Sequence, residues 1–122
     1  MRPSIRSSSS AVKFSGSILI YILGAMKYFA LFYDAGNDYV ERRQPYREAH
    51  LKVVKEAYQR SEILMAGALG DPPSGALLVF HSADTSVAEQ FARNDPYVKE
   101  GVVTRWYIKP WNVVVGGNEF GR

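Results

Sequence analysis

Apolar side chains recur along this chain in two rhythms, one of strands and one of helices. Residues 27–33, KYFALFY, are apolar at nearly every position and rich in aromatics, and Asp34-Ala35-Gly36-Asn37-Asp38 closes them with turn-forming types. From 43 to 60 the spacing becomes helical: Tyr46, Ala49, His50, Val53, Val54 and Ala57 share one face, with Glu48, Lys52, Lys55 and Gln59 opposite. Pro45 fits a first helical turn, where its missing N–H is harmless. Glu48 and Lys52 form a favourable i,i+4 pair on the solvent side. Residues 63–69, ILMAGAL, return to strand character, and Gly70-Asp71-Pro72-Pro73-Ser74-Gly75 reads as a turn before a third strand at 76–81, ALLVFH. A short helix is expected over 86–94, with Thr85 or Ser86 as N-cap. It should stop before Asp95-Pro96, because the residue preceding proline is steered out of the α region. Residues 102–109 make the last strand, Pro110-Trp111 leads into an extended piece at 112–115, and the rest reads as a frayed tail.

The order strand, helix, strand, strand, helix, strand is that of the ferredoxin-like, split-βαβ layout. The expected fold class is therefore α+β, with both helices on one face of an antiparallel sheet. Strands that are apolar at nearly every position belong to a sheet covered on both faces. Two short helices can cover only one. The economical cover for the other is a second copy of the same chain, so a homodimer with sheet against sheet is expected.

Composition narrows the chemistry. At 122 residues, 47% apolar and 22% charged, the chain suits one domain with a modest core. Cysteine is absent, which excludes thiolate catalysis and cysteine-ligated metal centres. Only His50 and His81 remain as imidazole ligands, so no metal and no cofactor is expected. The net charge of +3 resides in Arg2, Arg6 and Lys13; from Met26 onward 12 basic residues balance 12 acidic ones. No basic stripe is left to neutralise phosphates, and nucleic acid is not an expected partner.

Residues 1–25 differ in kind: MRPSIRSSSSAVKFSGS is basic, serine-rich and free of acid, and the apolar run ILIYILGAM follows it. That run is nine residues long against the roughly 20 that span a bilayer, so no membrane association is expected. Three readings stay open: a misassigned start with Met26 as initiator, an organellar presequence, or a secretory signal. The first places the protein in the cytoplasm, the second in the mitochondrion. Under all three the segment lies outside the domain, which should span 26–116 with a tail at 117–122. Deleting residues 1–25 should then leave melting temperature and oligomeric state unchanged; a loss of several degrees would show that the segment packs on the body.

His50 lies within the apolar stripe of the first helix. By itself it reads as a histidine satisfied in the core, yet imidazole is also the side chain suited to proton transfer near neutral pH. Asp95 is the second signal. The face carrying Val87 and Phe91 continues to position 95, so its carboxylate should point inward. The bland reading is a turn-forming Asp-Pro pair. Topology couples the two residues: antiparallel helices bring the start of the first beside the end of the second. An aspartate there fixes the tautomer of the imidazole and makes it a stronger base. Arg47, near the inner edge of the helix, suits a carboxylate or phenolate. Gly67, in mid-strand, suggests a bulge or close ligand approach. Tyr33 and Trp106 are candidate pocket walls for a small cyclic ligand. His81, at a strand end, reads as surface.

These motifs carry a resemblance. Arg47-Glu48-Ala49-His50-Leu51 resembles the Arg-x-x-His-Leu motif of the YciI-like (YCII-related) family. Ala66-Gly67-Ala68-Leu69 is similar to its glycine-bearing second strand, Asp95-Pro96-Tyr97 to its Asp-Pro motif, and Ile108-Lys109-Pro110-Trp111 to its last strand. The likeness covers about 26–116, with Ala68 standing where the family commonly has proline. It implies a dimeric α+β barrel similar to the muconolactone isomerases, with His50 and Asp95 as the active pair. The implied activity is cofactor-independent acid/base chemistry on a small organic molecule: isomerisation, elimination or hydrolysis. The rival is a ligand-binding or structural dimer whose pair merely holds helix ends together.

Overall fold

In the computed structural model, which describes residues 26–117, the aromatic run after Met26 becomes β1 (Lys27–Asp34), followed by a short α1 (Tyr39–Arg42) and a 3₁₀ turn (Gln44–Tyr46). The chain continues through α2 (Arg47–Gln59), β2 (Ile63–Gly70), β3 (Pro73–Ser82), α3 (Ser86–Asn94), α4 (Pro96–Lys99) and β4 (Arg105–Trp111). The strands form one antiparallel sheet in the order β2-β3-β1-β4, the expected α+β arrangement. Among the described residues no helix is long and apolar enough to cross a membrane. The segment 1–25 and the last five residues of the expected tail lie outside the described residues.

Register assigns each strand residue to a face. Phe29 pairs with Phe80, Leu31 with Leu78 and Tyr33 with Ala76. These residues are buried together with Tyr39 of α1, Ala57 of α2, Ala88 and Ala92 of α3, and Tyr97 of α4. All four helices therefore pack on the Leu31 face, and the small alanines let them approach the sheet closely. The opposite face carries Ala30, Phe32, Leu77, Val79, Met65, Gly67, Leu69 and Tyr107 by the same alternation. Ala30 and Val79 at its centre are buried, but Met65 stays 69% exposed and Leu69 42%.

Three local expectations are corrected. The first helical region begins at Tyr39 rather than 43 and is interrupted by the 3₁₀ turn. Asp38 and Arg42 tie the added turn through a 2.7 Å ion pair, and Pro45, which cannot donate, breaks continuity after it. The expected turn at 70–75 is shorter, because β3 already starts at Pro73. The carbonyl of Ser74 accepts the N–H groups of Ala35 and Gly36, and a Cβ on Gly75 would lie 2.3 Å from the Tyr33 carbonyl oxygen. Only glycine permits that approach.

The third correction concerns the last strand, which runs Arg105–Trp111 instead of 102–109, with no strand at 112–115. Val102 and Val103 are buried, but the Val103 N–H donates to the carbonyl of Tyr97, so both plug the core from a loop despite their β propensity. Pro110 is tolerated inside β4 because that strand is an edge and pairs only with β1.

Candidate active site

The inner face of α2 delivers His50 against the junction of α3 and α4, where Asp95 sits. Its extended backbone (φ −71°, ψ 127°) ends one helix and starts the next. The Asp95 side chain is wholly buried and accepts the Tyr97 N–H at 3.0 Å, capping α4. A carboxylate just past the end of α3 is placed against that helix's dipole, but the cap on α4 compensates it. Asp95 is thus a structural cap and the partner of His50 at once. The His50 Nδ1 lies 2.8 Å from Oδ1 and 3.0 Å from Oδ2.

Tyr33 completes the cluster by donating its hydroxyl to Asp95 Oδ2 at 2.6 Å. Burial, then the charge and hydrogen bond of Asp95, pushes the Tyr33 phenol far above its ordinary range, so it stays a neutral donor. With Tyr33 and the Tyr97 amide both donating, the aspartate acts as acceptor throughout, and Nδ1 must carry the proton it shares. The lone pair of His50 is then on Nε2. Tyr97 fixes the ring plane by stacking on it, 3.8 Å between centroids and 8° from parallel.

The imidazole faces a pocket of about 220 Å³, lined by Tyr39, Arg43, Arg47, Leu51 and Val54 on the helical side and by Ala66–Ala68, Ala76 and Leu78 from the sheet. Of the residues singled out from sequence, the structure brings His50, Arg47 and Gly67 to this pocket. Gly67 contributes an open wall, and the register shifts of β2 lie to either side of it, between Ile63 and Met65 and between Leu69 and Gly70. Tyr33 is 1% exposed and stands behind Asp95, away from any ligand. Trp106 is half-buried beneath the Arg93 guanidinium, 5.7 Å away, and does not line the pocket. His81 is half-buried and stacked on Tyr28 at 4.7 Å rather than at the surface, and burial lowers its pKa. Tyr39 and Arg43 also line the pocket, although the sequence reading does not single them out. Among the described residues no group of three or more His, Cys, Asp or Glu comes together.

Removing the Tyr33 hydroxyl tests this support. Tyr33→Phe keeps the ring, so it should cost about 1.5–3 kcal/mol in denaturant unfolding, the range for a hydrogen bond to a charged group. An unchanged midpoint would show that Asp95 does not depend on the bond.

Comparison with known proteins supplies the affiliation: the sequence profile of the YCII-related domain matches residues 26–112. The chain belongs to the YCII-related domain family. No curated protein matches it. Among solved structures it is similar to 5-chloro-2-hydroxyhydroquinone dehydrochlorinase from Burkholderia phenoliruptrix AC1100, solved with 2,5-dihydroxybenzoquinone. The identity is 18%, the coverage 70% of this chain and 93% of that one, and the TM-score 0.59. It is also similar to an antibiotic biosynthesis monooxygenase-like protein from Bacteroides thetaiotaomicron VPI-5482, at 15% identity, 75% and 92% coverage and TM-score 0.51. Both likenesses, at under 25% identity, bear on the fold alone, and they agree with the ferredoxin-like α+β arrangement of a four-stranded antiparallel sheet with helices.

Proposed function

We propose that this YCII-related domain is a cofactor-independent enzyme that moves a proton on a small organic molecule, with His50 as acid/base and Asp95 orienting it. The observation that carries the reading is the division of labour within the imidazole. Nδ1 is held by a wholly buried carboxylate, while His50 lines the pocket with Nε2 outside that hydrogen bond. The carboxylate stabilises the imidazolium that forms when Nε2 takes a proton. The same arrangement serves isomerisation, where the proton returns at another atom, and elimination, where the leaving group departs with its bonding pair.

The likeness to a dehydrochlorinase supports including halogenated hydroquinones in a substrate panel beside lactones and small enolisable acids. Turnover of at least one class by the full chain is the expected result; none across the panel, with ligands still binding, favours the rival reading. That rival, a ligand-binding module without chemistry, draws support from the cap that Asp95 supplies to α4. Our reading also takes the working form as a homodimer joined through the open sheet face. Its location would be cytoplasmic, or mitochondrial if residues 1–25 act as a presequence.

A further inference from the structure

We propose that the pocket beside His50 selects a small organic anion, a carboxylate or ionised phenol on a single ring or smaller, and that Arg43 is the side chain that selects it. The proposal rests on the reading of this pocket as the substrate site. Size is the first argument: about 220 Å³ lies below the roughly 300–1,000 Å³ of pockets for drug-sized ligands.

Charge is the second. Two guanidinium groups, Arg43 and Arg47, line the pocket and no Asp or Glu does. The ion pairs among the described residues engage Arg42, Arg60, Arg93, Arg105 and His50 but neither of these two. Asp95 adds no negative face, being wholly buried behind the imidazole with its oxygens occupied by donors. With two guanidinium groups in the wall against one carboxylate held behind the imidazole, the pocket is net positive.

The third argument is an orphan. The Nε of Arg43 is buried without an acceptor, while its guanidinium carbon lies 4.9 Å from the Tyr39 ring centroid. A guanidinium matches a carboxylate in a way no neutral group does, and Arg43 stands half-buried in the pocket wall outside all of the ion pairs among the described residues. Arg47 spends only one long bond, 3.5 Å to the Tyr97 hydroxyl, and keeps the rest of its fork free. Tyr39 adds a neutral hydroxyl: burial raises its pKa, and a hydrogen bond from the Arg43 guanidinium lowers it part of the way. Position 39 in α1 thus supplies a donor and position 43 just after it the charge, with the 3₁₀ turn between them and the α2 turn that carries His50.

Calorimetric titration of the full-length protein with benzoate and with benzamide, which share shape and differ in charge, tests the proposal. Benzoate should bind about tenfold more tightly or better, the scale of one charge-assisted hydrogen bond. Arg43→Gln should erase the preference by weakening benzoate alone, Arg43→Lys should keep part of it, and His50→Gln should retain it. Equal binding of the two ligands would overturn the proposal. So would no benzoate binding at tens of millimolar, or unchanged benzoate affinity in a folded Arg43→Gln protein. Should Arg43→Gln fail to fold, Arg43→Lys and the wild-type ligand pair decide. A charge preference without turnover on any substrate would defeat the enzyme reading and leave this one standing; turnover of neutral substrates with no preference would do the reverse.

Discussion

His50→Gln should lower turnover by about 10²–10⁴-fold on whichever substrate the wild type accepts, because that is what a positioned acid/base group contributes. Stability should move by only about 1 kcal/mol, since the glutamine amide keeps an N–H within reach of Asp95 and replaces one hydrogen bond by another. Asp95→Asn is the harsher change. The wild-type side chain accepts from His50, from the Tyr97 amide and from Tyr33. An asparagine oxygen can keep the first two, but its NH₂ then faces the Tyr33 hydroxyl, which must turn round to accept. A cost of about 1–3 kcal/mol is expected for that reversal in a buried site. Turnover should fall by a similar factor in both variants, and the double variant should be scarcely slower than the worse single one, as groups acting as a unit are not additive. Steady-state kinetics beside chemical denaturation separates the two roles. Normal turnover by a well-folded His50→Gln protein would end the enzyme reading.

The His50–Asp95 pair was legible because helical spacing and antiparallel topology act over short distances. Position 50 on an apolar stripe and position 95 at a helix end are local facts, and the layout brings them together. Tyr39 and Arg43 were hidden by Pro45, which reads as a helix start and conceals the turn before it. The missed signal was Asp38 with Arg42 at i,i+4, together with the run 39, 43, 46, 50 that continues the helical face backwards. Tyr33 was assigned to a pocket wall because an aromatic in a strand carries no mark of which buried group its hydroxyl meets. Only the pairing of β1 with β3 and the placement of α4 set it behind Asp95. The valines at 102 and 103 misled for a related reason: their propensity favours a strand, while burial against α4 decides the loop.

Charging the open sheet face should split the protein into folded monomers. Light scattering on the wild-type full chain should give twice the chain mass at micromolar concentration. The face opposite the helices presents Met65, Leu69, Leu77, Phe32 and Tyr107, and a hollow of about 230 Å³ there is lined by Met65–Leu69, Leu77 and Val79. An exposed apolar strand at a sheet edge is a liability that a second copy removes. A stable dimer needs about 800 Å² buried per partner, and a four-stranded face offers area of that order. Met65 is the position to charge, being 69% exposed and not itself part of the lining of the His50 pocket. Met65→Glu should cost the single chain little, yet place like charges in an apolar interface. Leu69→Glu makes a second probe, being 42% exposed on the same face and outside that lining. Both variants should keep their circular dichroism and run at monomer mass; a wild type that is already monomeric at tens of micromolar, or charged variants that stay dimeric, would sink the dimer. The outcome bears on chemistry as well, because β2 is a wall shared by two sites. Met65 and Leu69 lie on the open face while Ala66–Ala68 line the His50 pocket, so freeing the edge strand should loosen the pocket and weaken ligand binding along with association.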